Sequence, residues 1–354
     1  MKDILLQLRD PVLREDIRTI AENPILDGLE KGAAVLITGA TGLIGFQTLQ
    51  ALACHSVAGN KALKIIAMVR SEEKARAMFG NLVDRGLVVL FTGDVNEPLN
   101  YDGPVDYIIH GASATSSRYF VEKPAQTIMT AVGGTRNVLE LAKEKRVKKM
   151  VYLSSLEVYG VPDGGKEYIS ETDYGYIDPM QPRSSYSEGK RMAECLCAAY
   201  AKEYGVNVTV ARLSQTFGAG VDYNDGRVFA EFARCAIEKR DIILHTQGNT
   251  LRTYCYLTDA ISAIFCLMLR GEAGQAYNVT NPATAVTIRE MAQMVCDMTP
   301  GIGVRIEIPA EIAAFGYNPE MVIRLSSEKL EALGWKPTVG MEQMLRRLIE
   351  SMKK

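Results

Sequence analysis

The chain has 354 residues, 47% of them hydrophobic and 23% charged, with a formal net charge of −2. That length allows one large or two medium domains, and the composition is that of an ordinary globular protein. A near-zero net charge argues against broad electrostatic binding to nucleic acid, and no apolar run approaches the roughly 20 residues that span a bilayer.

Residues 1–31 carry many charges, among them Lys2, Asp3, Arg9, Asp10 and Arg14, so they do not read as a signal peptide. Ile4, Leu5 and Leu8, then Leu13, Ile17 and Ile20, form helical stripes broken near Pro11, which predicts a helical extension lying on the main body. A short apolar run at 33–37 suits a buried parallel strand. A helix is expected over 43–54, then strands at 64–69, 88–91 and 105–110. A long helix fits 124–145, and two more strands fit 149–154 and 206–211. Strands alternating with helices predict an α/β fold, a Rossmann-type doubly wound parallel sheet. After about residue 212 the alternation fades. A Gly/Asp/Asn-rich loop at 218–226 precedes helices at 227–239, 259–269, 288–298 and 341–352, with a short strand at 253–257. The division expected is an extension (1–31), a mainly dinucleotide-binding domain (32–212) and a smaller, mainly substrate-binding lobe (213–354).

Thr38-Gly39-Ala40-Thr41-Gly42-Leu43-Ile44-Gly45 follows the first strand and opens a helix, the context a dinucleotide fingerprint needs. Gly39 makes the tight turn, Gly42 admits the pyrophosphate, and Gly45 lets helix and strand pack closely. The helix N-terminus, from Thr41 through Leu43 and Ile44, offers free N–H groups and a positive dipole end. The second strand ends at Arg70, where an acidic residue would bind the ribose of NAD. An arginine suits the 2′-phosphate of NADP, although a plain surface charge would look the same. The reading is therefore NADP or NAD, inclined to NADP. Asp94, before Val95, follows the third strand and offers a carboxylate to an adenine amino group. Gly111, Ala112 and Ser113 follow the fourth strand and are small enough to leave room for a cofactor.

The fifth strand runs into Ser154 and Ser155, hydroxyls at the carboxyl end of a strand, where α/β ligands bind. Downstream, Tyr186 and Lys190 stand four residues apart and share one face if helical. A close ammonium favours a phenolate, and a phenol so tuned exchanges protons near neutral pH. The expected centre is thus Ser154 or Ser155 with Tyr186 and Lys190. The seven cysteines include no C-x-x-C pair and the three histidines form no cluster with them, which fits reduced thiols in a cytoplasmic protein and no metal site.

With these motifs in place, the chain resembles the extended short-chain dehydrogenases/reductases of the nucleotide-sugar epimerase/dehydratase family over residues 32–350, including Leu333-Gly334-Trp335 near the end. Within that family it looks most like UDP-glucuronate decarboxylases. The similar stretches are Ser155 to Gly160, Pro182 to Arg191, Asn224-Asp225-Gly226-Arg227-Val228 and Leu251-Arg252-Thr253. The resemblance implies hydride transfer from sugar C4 to the nicotinamide, with Tyr186 as the base, and places Glu157 and Arg252 near a sugar carboxylate. It also implies Arg227 as a diphosphate contact, Gln215 and His245 as substrate-lobe positions, and a homodimer built on the helices near 124–145 and 184–204. Departures stand out: Gln215-Thr216-Phe217-Gly218-Ala219-Gly220 where relatives carry Asn-Thr-Phe/Tyr-Gly-Pro-Arg, His245 where a tyrosine stacks on the base, Ala131 for an asparagine, and Arg70 for an acid. Two alternatives remain: an NADPH-dependent reductase of a nucleotide-linked keto sugar, and a non-catalytic dinucleotide-binding sensor or scaffold.

Overall fold

The apolar run after the extension forms a strand, Ala34–Thr38 (β1), buried at all five positions because both faces of its sheet are covered. The computed structural model describes residues 1–113, 117–162, 164–308 and 320–353. Before β1 come helices α1 (Lys2–Leu5) and α2 (Pro11–Ala21). After it follow α3 (Leu43–Ala58), β2 (Lys64–Val69), α4 (Glu72–Asp84), β3 (Val88–Thr92), β4 (Tyr107–His110), α5 (Ser117–Glu122), α6 (Pro124–Lys145), β5 (Lys149–Ser155), α7 (Ser185–Tyr204) and β6 (Val208–Leu213). The rest of the chain contributes β7 (Gln215–Phe217), α8 (Val228–Glu238), β8 (Ile242–Leu244), β9 (Leu251–Tyr256), α9 (Leu257–Arg270), β10 (Ala276–Val279), β11 (Asn281–Thr287), α10 (Ile288–Met298), β12 (Val304–Ile306), β13 (Val322–Ile323), α11 (Glu328–Glu331) and α12 (Met341–Met352).

Seven strands build one parallel sheet in the order β10-β6-β5-β4-β1-β2-β3, a doubly wound Rossmann-type sheet. Alternate residues of β1 feed opposite layers. Val35 and Ile37 pack with α3 and α9, whereas Ala34 and Leu36 pack with α6 and α7. Each fully buried Leu, Ile or Val contributes about 1.5–3 kcal/mol. The strand order reverses between β1 and β4, which opens a crevice at the carboxyl ends of these two strands.

The last sheet strand, β10, comes from beyond residue 212: α9 crosses over and β10 pairs with β6 from Ala276↔Val210 to Val279↔Leu213. A four-residue strand containing Tyr277 and Asn278 carries too little periodicity to announce itself. The sixth strand also begins two residues later than the apolar run suggests. Gly205 takes a left-handed turn (φ 67°) and the Val206 N–H is still bonded to the Tyr200 carbonyl at the end of α7. Helix α4 is absent from the sequence reading because its exposed face is so polar.

A second sheet, β11-β9-β13 with β7 also on β9, and a β8/β12 pair form the smaller lobe. Its core lies among α8, α10, α12, Phe217, Tyr254 and Tyr256. At the other end, α2 is capped by Asp10, whose Oδ1 accepts from the Val12 and Leu13 N–H groups (3.0 and 3.2 Å). Ile17 and Ile20 of α2 are buried in the layer that holds α3 and α9. No helix among the described residues is long and apolar enough to cross a membrane.

Candidate active site

Backbone crowding explains the glycine turn. Gly39 has φ +73°, and a Cβ there would stand 2.9 Å from the backbone of Gly111. The loops after β1 and β4 therefore touch at the crevice, and only glycine tolerates both the conformation and the approach. A Cβ on Gly45 would lie 2.3 Å from the Gly39 carbonyl oxygen, so the first turn of α3 sits directly on β1. Gly42 is the N-cap of α3 and is exposed, with Thr41, Leu43 and Ile44 half-buried around it. The first-turn N–H groups of a helix have no intrahelical acceptor, so this end is fitted to phosphate oxygens. The floor is polar but closed: Thr38 Oγ1 meets His110 Nδ1 at 2.7 Å and accepts from the Ala112 N–H (3.2 Å). His110 Nε2 meets Thr135 Oγ1 at 3.2 Å. Burial pushes the His110 imidazole down to about 3, with the Lys190 charge adding to the effect, so the ring is neutral.

Around this turn, Arg70 follows β2 directly, is exposed, and makes no hydrogen bond or ion pair among the described residues. Asp94 Oδ1 accepts from the backbone and side-chain nitrogens of Asn96 (2.9 and 2.7 Å) in a tight turn. Val95 is buried against Gly134 of α6, and Ser113 is half-buried.

Across the crevice, α7 presents Tyr186 and Lys190 on one face. Lys190 is buried and its Nζ donates to the Leu153 carbonyl of β5 (2.7 Å), 5.8 Å from the centre of the Tyr186 ring. Desolvation lowers Lys190 to about 8, with Glu194 pulling it back. The lowered phenol pKa expected of Tyr186 is not found. Burial raises it, the Glu157 charge adds to the rise, and a hydrogen bond with Ser155 and the charges of Arg183 and Arg227 oppose it. The ammonium is turned to a carbonyl, so desolvation wins.

The two serines separate by strand geometry. Ser155, the N-cap of a short 3₁₀ turn (Leu156–Tyr159), accepts from the Glu157 N–H (3.2 Å) and shares the hydrogen bond with Tyr186. Ser154 points the other way and donates to Glu194 Oε1 (2.5 Å). Glu194 is bound to Arg212 (2.6 Å), an arginine only 1% exposed. Ser154 thus belongs to a buried polar layer beneath Tyr186 and Lys190.

Glu157 is held on both oxygens, by Arg183 Nη2 (2.9 Å) and Ser187 Oγ (3.2 Å). Arg183 lies over the Phe120 ring (5.1 Å), which stacks on Tyr186 with centroids 4.2 Å apart. Sequence reasoning gave Arg183, Phe120 and Glu194 no role. Extending the Tyr186/Lys190 ladder by one more turn of α7 would have found Glu194, and Arg183 stands one helical turn before Tyr186.

From the smaller lobe, Arg227 at the start of α8 is gripped by Asp225 (2.6 Å). Gln215 of β7 pairs with Tyr254 of β9, and Arg252 stands two residues earlier on β9, so the three share one face. Arg252 Nε is buried and has no hydrogen-bond partner among the described residues. His245 follows β8, and its Nδ1 lies 3.1 Å from the Glu307 carbonyl. Ala131 is buried against Gly189 of α7, where a Cβ would stand 3.1 Å away, which lets α6 and α7 cross closely behind Lys190.

A glycine turn at the switch point of a doubly wound sheet, facing a tyrosine and lysine on a neighbouring helix, defines a dinucleotide-binding α/β protein of the short-chain dehydrogenase/reductase type. The sequence pattern of the NAD dependent epimerase/dehydratase family matches residues 35–280, and the protein belongs to that family. UDP-glucuronic acid decarboxylase 1 of Xenopus tropicalis is 34% identical over 265 residues, covering 75% of this chain and 60% of the frog protein. UDP-glucuronic acid decarboxylase 6 of Arabidopsis thaliana is 29% identical over 321 residues, 90% of this chain and 88% of the plant protein. Among solved structures, the UDP-glucose 4-epimerase of Thermotoga maritima with UDP-glucose has a TM-score of 0.73 at 21% identity, covering 90% of this chain and 98% of that one, and shares the fold.

Proposed function

We propose that this protein is an NAD(P)-dependent enzyme that modifies a nucleotide-linked sugar, closest in chemistry to UDP-glucuronate decarboxylase. The observation that carries the reading is the meeting of Ser155, Tyr186 and Lys190 at the carboxyl end of β5, across the crevice from the Gly39–Gly45 turn. Kinship with the decarboxylases supports the substrate class.

In this reading Gly39, Gly42 and the first turn of α3 hold the pyrophosphate, Asp94 and Val95 flank the adenine, and Gly111 to Ser113 leave room for the nicotinamide side. A bound nicotinamide supplies the hydride acceptor and a positive charge. Burial favours the protonated phenol, so Tyr186 Oη must first release its own proton to solvent under the positive charges of the nicotinamide and Lys190; the phenolate, oriented by Ser155, then takes the proton of the sugar hydroxyl. Lys190, still an ammonium below about pH 8, adds positive charge behind the phenol. Ser154 steadies that base from beneath through Glu194. Glu157 meets the sugar as half of an ion pair with Arg183. The orphaned Nε of Arg252 suits a sugar carboxylate, and Arg227 suits the diphosphate, because a guanidinium forks onto anionic oxygens. Gln215 and His245 take part in recognising the nucleotide. We include in the proposal a cytoplasmic homodimer formed through α6 and α7, which expose Ile128, Met129, Met192 and Tyr204.

The test is a panel of nucleotide-sugars, UDP-glucuronate first, incubated with NAD or NADP and read by mass spectrometry. Loss of carbon dioxide is the expected outcome. Tyr186→Phe should abolish turnover, and full retention of activity would remove Tyr186 from the mechanism. Light scattering checks the dimer.

One observation favours a second reading. Arg70, exposed just after β2 and unpaired among the described residues, suits NADPH, hence a net reductase of a nucleotide-linked keto sugar. Steady consumption of NADPH, with two hydrogens gained by the sugar, would select it over the redox-neutral reaction.

A further inference from the structure

Three consecutive residues after β7 are each held from a different direction. Gly218 lies under the Tyr256 ring, so close that a Cβ would stand 2.8 Å from Tyr256 Cε2. The Tyr256 hydroxyl donates to Asp16 Oδ2 (2.6 Å), and Asp16 Oδ1 accepts from Arg347 Nη2 of α12 (2.5 Å). The Ala219 carbonyl accepts from Gln47 Nε2 of α3 (2.7 Å). The Gly220 N–H donates to Ser351 Oγ of α12 (2.9 Å), which donates in turn to Asp10 Oδ2 (2.5 Å). Gly220 itself has φ +81°.

Two of these three restraints end on aspartates of the N-terminal segment, Asp10 at the cap of α2 and Asp16 within it, each 2% exposed. A segment that only covered the core would need apolar contacts alone, which Ile17 and Ile20 already provide. Buried polar groups are stabilising only when fully partnered, and a fully partnered chain of them fixes geometry. The restrained loop leads through Asp222 and Asp225 to Arg227, whose guanidinium Asp225 holds by three hydrogen bonds of 2.6 to 3.1 Å. Gly218 and Gly220, the latter standing where the resemblance leads one to expect an arginine, are therefore the places on which the N-terminal segment acts.

We propose that α2 is a positioning element of the active site: through Asp10–Ser351 and Asp16–Tyr256 it fixes the loop at 218–227 and with it the Arg227 guanidinium. The effect on substrate rests on the nucleotide-sugar reading above, whereas the hold on the loop does not. Ser351→Ala cuts the link from Gly220 to Asp10 and leaves Asp10 able to cap α2. Tyr256→Phe keeps the ring on Gly218 and removes the link to Asp16, together with the hydrogen bond that the Tyr256 hydroxyl accepts from Arg347 Nε (3.0 Å).

The experiment uses the full chain. Hydrogen–deuterium exchange should rise in the 218–227 segment of Ser351→Ala by several-fold, up to about tenfold for one lost hydrogen bond, with the Gly39–Gly45 turn unchanged. Ser351→Thr, which keeps the hydroxyl, should restore protection. In the same variant the KM for UDP-glucuronate should rise by a comparable factor with kcat within about twofold, and this rise should vanish when Arg227 is already alanine. Unchanged exchange at 218–227 in both Ser351→Ala and Tyr256→Phe overturns the proposal. So does a KM effect of equal size in the Arg227→Ala background. If the intact protein turns over none of the nucleotide-sugars in the panel, the nucleotide-sugar reading fails by itself, and the exchange data still decide whether α2 holds the loop.

Discussion

The buried Glu194–Arg212 pair makes a quantitative test of the polar layer beneath the site. Arg212 Nε donates to both Glu194 oxygens (3.0 and 3.1 Å) and Nη2 to Oε2 (2.6 Å). Nη1 reaches the Tyr159 hydroxyl (2.9 Å) and the Glu171 carbonyl (2.7 Å), and Nη2 also reaches the Tyr174 hydroxyl. Replacing Glu194 by Ala leaves a guanidinium that is 1% exposed facing neutral oxygens only. Removing one member of such a pair costs about 3–5 kcal/mol. Replacing both members by Met removes the stranded charge. The main loss is then the Ser154 hydroxyl, since the Tyr159 hydroxyl still donates to Asn278 Oδ1 (2.6 Å). One orphaned buried hydroxyl costs about 1–3 kcal/mol, so the double variant should be more stable than Glu194→Ala. Urea unfolding is the assay. The single tryptophan, Trp335, is 5% exposed and bonded to Ser262 (3.0 Å), which makes its fluorescence the probe. A Glu194→Ala cost under about 1 kcal/mol, or a double variant less stable than the single, would refute the argument.

Lys190 titrates with a sign that can be worked out. Its pKa in the fold, about 8, lies below the ordinary 10.5. The penalty for its charge is therefore complete below pH 8 and is relieved as pH rises from 8 to 10.5. Wild type should gain stability relative to Lys190→Met over that window, by on the order of 3 kcal/mol at most, and kcat/KM should fall above pH 8; a pH-independent stability difference would contradict the burial argument. Gly45→Ala should abolish dinucleotide binding in a fluorescence titration, since the new Cβ would stand 2.3 Å from the Gly39 carbonyl oxygen; wild-type affinity would show that α3 can shift. Arg70→Asp should weaken NADPH more than NADH in the same titration, and equal losses would take Arg70 out of cofactor choice.

Much of the site was legible because its residues have steric meaning on their own. Gly39 and Gly45 are required by backbone contacts with no alternative side chain, and the turn reads directly from Thr38 to Gly45. The α6 boundaries were readable because Pro124 sits at the first helical position. Adjacent serines on a strand were not separable, since only the register of β5 decides that Ser155 meets Tyr186 while Ser154 meets Glu194. The spacing of Tyr186 and Lys190 fixed a shared face but not where the ammonium turns, and the Leu153 carbonyl that captures it lies 37 residues away in sequence. Phe120 and Arg183 escaped notice because a stacked layer is a property of three elements at once.

The late arrival of β10 has a consequence for how the protein must be made. During synthesis the β6 edge, Val208–Leu213, emerges with its outer backbone groups unmatched, and its partner follows only when residues 276–279 leave the ribosome. Until then the nascent sheet presents a bare, largely apolar strand able to pair with any extended chain nearby. Cutting the gene at residue 212 would make that interval permanent, so a fragment holding every residue of the glycine turn and the Tyr186–Lys190 pair should still aggregate. Native assembly requires the C-terminal third of the chain before the nucleotide half is finished.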